Sequence, residues 1–229
     1  MSDVLEERIG ILFRNKDLLR EALTHRSYLN EHSDWPVPHN ERLEFLGDAV
    51  LELVVTDFLF KKFAEYDEGI LTNVRAALVN QTMLAQISED IELEGEIFLS
   101  HGQERGTDKA RESILANGVE ALIGAAYLDG GYETAQIFIE RFILSYVDEV
   151  MKDKRYQDPK SSLQEIVQEQ LKTTPLYKVL EESGPDHEKE FVVGVYFGDK
   201  LSARGVGGSK QDAERVAAET ALKEIRDNE

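Results

Sequence analysis

Between Ile114 and Leu128 the chain reads ILANGVEALIGAAYL, a segment apolar almost all round. A helix without a polar face has to be enclosed by other elements. This segment therefore demands a set of neighbours packed about one central helix. Its strongly polar side chains, Asn117 and Glu120, stand three apart and share one side. A buried, unpaired carboxylate is costly; it shifts its pKa, or it finds a basic or backbone group, or it binds a cation. Tyr127 is amphipathic. Gly118, Ala121 and Ala125 (i, i+3, i+7) form a small-residue face along which another helix can come close.

A second stretch, NERLEFLGDAVLEL from Asn40 to Leu53, supplies a suitable neighbour. At roughly 100° per residue, Glu41, Glu44 and Asp48 fall at about 0°, −60° and −20°. Leu43, Leu46, Val50, Leu53 and Val54 fall opposite, on the stripe that a core buries. Acids on one helix face usually form a solvated face, and Glu52, at about 20°, extends it. The buried helix changes that balance. If the two helices pack together, Glu41, Glu44, Asp48, Asn117 and Glu120 converge. Like charges at helical spacing repel, and an all-oxygen donor set favours a hard divalent ion such as magnesium or manganese. Such a cluster suits Lewis-acid chemistry on phosphate. Phe45, at about 40°, lies on the acid side. A large ring there needs another surface to cover it, so a protein–protein contact is expected beside the candidate metal site.

The absence of cysteine excludes disulfides, thiolate metal sites and cysteine nucleophiles, and suits a reducing cytoplasm. The opening MSDVLEERIG has no basic-then-apolar signal pattern, and no apolar run approaches the roughly 20 residues that span a bilayer. A soluble, cytoplasmic protein without a membrane segment is expected. The net charge of −19 argues against nucleic acid as a partner until its distribution is considered. Residues 1–150 carry 13 Lys+Arg and 29 Asp+Glu, a balance of −16, whereas residues 151–229 carry 13 and 16, a balance of −3. The acidic excess lies with the candidate metal cluster. Nucleic-acid binding has to rely on local patches, metal ions and shape.

The first 150 residues read as mostly helical, with amphipathic stretches at Lys16–Leu23, Glu41–Phe60, Leu71–Ile87 and Tyr132–Val150. His32–His39, with two prolines and a tryptophan, reads as a loop. Asn40 is a candidate N-cap, and Asp129-Gly130-Gly131 stops the buried helix. KDKRYQDP, Lys152 to Pro159, lacks apolar periodicity and reads as a linker, with Asp158-Pro159 opening the next helix. Leu163, Ile166, Val167 and Leu171 form its apolar face. PLYKVLEESG, EFVVGVYFGD and KLSARGVGG read as three antiparallel strands. Lys210 to Ile225 is helical, with Ala213, Val216, Ala217, Thr220, Ala221 and Leu222 at helical spacing. The order α-β-β-β-α gives a small α+β module. Domains are expected at 1–151 and 159–229, joined by a linker at 152–158.

ERLEFLGDAVL resembles the signature of the bacterial ribonuclease III family, as do ALTHRSYLNE (Ala22–Glu31), DEGILTNVRAALVN (Asp67–Asn80) and ESILANGVEALIGAAYLDGG (Glu112–Gly131). GGSKQDAERVAAETAL resembles the last helix of a double-stranded-RNA-binding domain. The resemblance spans nearly the whole chain. It implies a mainly α nuclease domain of the ribonuclease III helical fold, followed by an α+β RNA-binding domain. It further implies a homodimer that cuts double-stranded RNA with Mg2+, or Mn2+ in its place, leaving 5′-phosphate and 3′-hydroxyl ends, in the processing of ribosomal, messenger and small RNAs.

Carried over by position, Glu44, Asp48, Asn117 and Glu120 are metal ligands, with Asp48 and Glu120 catalytic. Glu41 and Glu68 lie nearby, shaping a second metal position or the RNA approach. Phe45 is the dimer contact. Ser161, Gln164, Glu165 and Gln168 match the first RNA-contacting helix of the module, His187 in GPDH the loop that enters a second minor groove, and Ser209 and Lys210 the phosphate-binding end of the last helix. Two departures stand out. Asn117 occupies a position usually held by Asp, and Gln211-Asp212 follow Lys210 where many relatives carry a second basic residue. They motivate an alternative: a regulator that binds double-stranded RNA and cuts it weakly. The histidines at 25, 32 and 39 fit no common zinc spacing, and Thr24-His25-Arg26-Ser27 matches a family stretch read as structural.

Overall fold

The computed structural model describes residues 2–103, 107–153, 156, 158–185 and 189–227, with side chains from 4 to 225 within those ranges. The chain divides into two compact units, Met1–Tyr156 and Gln157–Glu229.

The first unit is helical: α1 (Ser2–Ile9), α2 (Lys16–Ala22), α3 (Arg26–Glu31), α4 (Glu41–Lys62), α5 (Glu68–Val79), α6 (Gln81–Asp90), α7 (Asp108–Gly130), α8 (Tyr132–Phe142) and α9 (Val147–Lys152). The apolar segment foreseen as central is α7, and α2, α4, α6 and α8 pack around it. Leu115, Val119, Leu122, Ile123 and Ala126 are all buried there. Each large apolar side chain so enclosed contributes about 1.5–3 kcal/mol relative to exposure, so α7 is the axis of the unit's stability. Its N-terminus is capped by Thr107, whose hydroxyl accepts from the Ala110 N–H at 3.3 Å. It ends where Gly131 turns at φ +81°. Asp129 at that end ties back the start of the chain, accepting from the Arg14 and Asn15 N–H groups at 2.8 Å each.

Several expectations need correction. The Leu71–Ile87 stretch is two helices, because Asn80 leaves the helix at ψ 161° and its side chain accepts from the Met83 N–H at 2.9 Å, starting α6 anew. The Tyr132–Val150 stretch likewise breaks, through a 3₁₀ turn at Leu144–Tyr146. Asn40 precedes α4 without a side-chain cap. It is buried, and its amide donates to the Ala22 carbonyl at 3.2 Å, joining α4 to the end of α2. Leu53, placed on the core stripe, is 58% exposed, because it sits at the stripe's edge on the side of Phe45. Leu171 is exposed as well: it is the last residue of α10 (Pro159–Leu171), which Lys172 closes in the left-handed conformation.

The second unit places α10 and α11 (Lys210–Asp227) against a three-stranded antiparallel sheet, β1 (Pro175–Ser183), β2 (Glu190–Phe197) and β3 (Lys200–Gly207), in the order β1-β2-β3. Phe191, Val193 and Val195 alternate inward along β2 to meet Ala213, Ala217 and Ala221 of α11. Alanines on that helix face let it lie close to the sheet. Asp158 caps α10 ahead of Pro159 at the first helical position, accepting from the Ser161 N–H at 3.0 Å.

Candidate active site

The acidic faces of α4 and α7 meet because two glycines do. A Cβ on Gly47 would overlap the Glu120 carbonyl and the Gly124 nitrogen, and a Cβ on Gly124 would overlap the Leu43 carbonyl. The two helices therefore touch backbone to backbone. Gly47 lies between Glu44 and Asp48, and Gly124 one turn beyond Glu120, so this contact sets the carboxylates side by side. The small-residue face expected to do this was Gly118, Ala121 and Ala125. Gly118 instead faces Ile97 and Leu93.

Glu120 is half-buried, and its pKa is pushed up to about 7, first by burial and then by Asp48 and Glu44. The Glu44 carboxyl is also raised, first by burial and then by Glu41, with Asp48 adding to it; a hydrogen bond from Asn117 works in the opposite sense. Asn117 thus steadies the charged form of Glu44. Among the described residues no Lys, Arg or His forms an ion pair with Glu44, Asp48 or Glu120. Nor do any three acidic or histidine side chains among them already stand in metal-holding geometry. The donor set nevertheless fits a hard divalent ion: three carboxylates and an amide oxygen, mutually repelling and lacking a basic counterpart.

The other acids occupy separate places. Glu41 is exposed on the rim, 3.0 Å from Arg26, with His39 Nδ1 at 3.8 Å from its other oxygen. Glu68 opens α5 after the cap Asp67 and lines a cavity of about 550 Å3 with Phe60, Leu71 and Arg75. It is not among the causes of the shifts at Glu44 or Glu120. Glu52 is a surface acid paired with Arg75 at 2.8 Å. Phe45 is 81% exposed, and Leu53 and Phe60 are exposed farther along α4.

The three histidines serve separate purposes. His25 Nδ1 accepts from the Ser27 N–H at 3.2 Å at the start of α3, and burial lowers its pKa. His32 stacks on Tyr28 at 3.8 Å. His39 faces Glu41. The THRS stretch read as structural therefore also delivers Arg26 to the acid rim, a placement hidden from sequence because α3 and α4 are brought together by Thr24 and Asn40.

In the second unit Ser161, Gln164, Glu165 and Gln168 are exposed on α10, and the Ser161 hydroxyl donates to Asp158 at 2.8 Å. Ser209 caps α11: its Oγ accepts from the Asp212 N–H at 3.1 Å and donates to the Asp212 carboxylate at 2.7 Å. Asp212 thus occupies the helix end with its own negative charge. Lys210 lies over the Phe191 ring, 5.6 Å from its centre. His187 lies outside the described residues.

A family model described as Ribonuclease-III-like matches residues 15–147, and one described as a double-stranded RNA binding motif matches residues 159–225. Ribonuclease 3 of Pelotomaculum thermopropionicum is 42% identical over 219 residues, 96% of this chain and 91% of the relative. Ribonuclease 3 of Bdellovibrio bacteriovorus is 43% identical over 219 residues, 95% of this chain and 93% of the relative. A solved nuclease domain of ribonuclease III from Campylobacter jejuni, described for structural flexibility in its region involved in dimer formation, is 43% identical with a TM-score of 0.56. It covers 62% of this chain and 95% of that one. With both family models matched in order along the chain, and relatives more than 40% identical over nearly its whole length, the chain belongs to the ribonuclease III family.

Proposed function

We propose that this protein is a metal-dependent endoribonuclease that cuts double-stranded RNA, with Glu44, Asp48, Asn117 and Glu120 as its metal-holding residues. The observation that carries the reading is the Gly47–Gly124 contact, which sets carboxylates without a basic partner side by side from two helices, at a cost that a bound divalent cation would relieve without protonating them. Magnesium, or manganese in its place, supplies Lewis-acid activation when bound. Asn117 favours the charged form of Glu44 against burial and the neighbouring acids, and its amide oxygen would be available to the cation. Glu120, with a pKa near neutrality, can hold or release a proton at neutral pH and would give a ligand oxygen to the ion in its charged form. Water is the nucleophile, and its in-line attack on phosphorus expels the 3′ oxygen, leaving 5′-phosphate and 3′-hydroxyl ends. Glu41 and Glu68 shape the approach of the RNA.

The working form is a homodimer. Phe45, a ring 81% exposed beside carboxylates, needs a cover, and a second copy related by a two-fold axis places one site on each strand of a duplex. Residues 1–151 carry catalysis and dimerisation, 152–158 link, and 159–229 grip A-form RNA through Ser161, Gln164, Glu165, Gln168, His187, Ser209 and Lys210. The Ser209–Asp212 pairing makes the α11 grip on phosphate weak, so the nuclease unit shares the binding. Among the described residues no helix is long and apolar enough to cross a membrane. The absence of cysteine supports a cytoplasmic place of work, in the maturation of ribosomal and messenger RNA.

The test is direct. Incubated with a long RNA duplex and magnesium or manganese, the full chain yields short duplex products, spares single strands, and stops with chelator. Binding without cleavage in either ion overturns the reading in favour of a regulator of double-stranded RNA.

A further inference from the structure

Polyanionic RNA has to approach a rim that is itself acidic: Glu41, Glu44, Asp48 and Glu120. A divalent cation offsets two of those charges. A basic side chain at the edge is needed to hold phosphate there, and the ion pair of Arg26 with Glu41 supplies one. Arg26 opens α3 directly after His25, whose ring caps that helix, so its backbone position is fixed. Its side chain is 67% exposed and its partner's 44%, with 3.0 Å between them. Arg42, next to Glu41 in sequence, lies near Glu21, whose carboxyl it favours in the charged form.

We propose that Arg26 is a phosphate-holding residue of the cleavage site: its guanidinium rests on Glu41 in the RNA-free protein and exchanges that carboxylate for a backbone phosphate of the bound duplex. Three features support the exchange. An exposed ion pair of this kind adds little to stability, so leaving it costs little. The guanidinium fork matches phosphate as well as carboxylate, through two parallel N–H donors. Glu41 keeps a neighbour when Arg26 leaves: His39 Nδ1, a buried nitrogen without a hydrogen bond, lies 3.8 Å from its second oxygen and would attract it when that nitrogen carries a proton. Glu41 is one turn from Glu44 along α4, about 4.5 Å of helix rise, so the phosphate held there neighbours the one being cut.

The proposal rests on the reading of this protein as a nuclease for double-stranded RNA, and the experiment separates the two. Duplex affinity is measured across a salt series for the full chain in an Asp48→Ala background, where RNA stays intact. Arg26→Gln weakens binding and reduces the slope of log affinity against log salt by about 0.9 per site, the value for one phosphate contact on B-form duplex DNA. Arg26→Lys restores most of that slope. Both effects persist when Glu41→Gln is added. If Arg26 serves only to steady Glu41, Arg26→Gln leaves the slope unchanged and has no effect once Glu41→Gln is present; either result overturns the proposal. Melting curves establish that each variant is folded. A wild-type chain that neither binds nor cuts duplex RNA defeats the functional reading, whereas one that cuts while Arg26→Gln keeps the full slope defeats the role of Arg26 alone.

Discussion

Replacing Gly47 by alanine isolates the contact on which the site depends. In an ordinary helix interior the change stabilises by about 1 kcal/mol through propensity. Here the added carbon meets backbone, the Glu120 carbonyl and the Gly124 nitrogen, and no flexible side chain can yield. The helices have to separate by roughly an ångström to restore van der Waals distance. Overpacking of this kind costs about 1–3 kcal/mol, so the sign reverses. Set against the propensity gain, the net loss is about 1 kcal/mol, which lowers the melting temperature by roughly 2–4 °C for a unit of this size. The same separation draws Glu120 away from Glu44 and Asp48, and a misplacement of about 1 Å at a reacting centre reduces rate by roughly 10²-fold. Thermal unfolding and initial cleavage rate at saturating magnesium read the two effects. Gly69→Ala, whose new carbon would sit 3.4 Å from Asp67 Oδ1 in ordinary contact, is the control and leaves stability unchanged or slightly raised. A Gly47→Ala protein with wild-type melting and wild-type rate refutes the backbone contact as the organiser of the site.

Three further predictions follow from named side chains. The Glu120 carboxyl, at about 7 against an ordinary 4.5, keeps a proton that the unfolded chain has released. In chelator, stability is therefore full below about pH 4.5 and declines as pH rises to about 7, by roughly 1 kcal/mol after discounting for partial exposure; melting curves show this slope in the wild type and its flattening in Glu120→Gln. Phe45→Glu adds a carboxylate where an exposed ring stands beside carboxylates, and sedimentation shows a monomer; an unchanged dimer means that the ring packs elsewhere. Asn117→Asp replaces the donor that steadies Glu44 with a fourth carboxylate, so half-maximal cleavage needs less magnesium while melting temperature in chelator falls; an equal or higher magnesium requirement removes Asn117 as the weak ligand.

The parts legible in sequence were those governed by one-dimensional pattern. The all-apolar run around Leu122 announced a central helix, and the alternation in EFVVGVYF announced β2. The arc of Glu44 and Asp48 named half of the site before any packing was known. What pattern does not record is partnership. By pattern alone a glycine inside a helix is only a mild weakness, and the meaning of Gly47 and Gly124 appears only when one backbone lies on the other. Asn80 hid in an unbroken apolar periodicity, because its effect lies in a side-chain bond to Met83 that restarts the helix without disturbing the stripe. Leu53 reads as core from its place on the stripe, yet it stands exposed at the stripe's edge toward Phe45. Arg26 was invisible as a site residue because its partner Glu41 is fifteen positions away, across a loop whose course no periodicity describes.

If the carboxylates gathered by α4 and α7 serve cleavage while other parts of the chain hold the duplex, binding and cutting are separable by mutation. Asp48→Ala and Glu120→Ala, each in the full chain, are assayed side by side for duplex RNA affinity and for cleavage in magnesium. Near-wild-type affinity and no detectable products are expected from either variant. Products formed at the wild-type rate by either one would contradict that expectation.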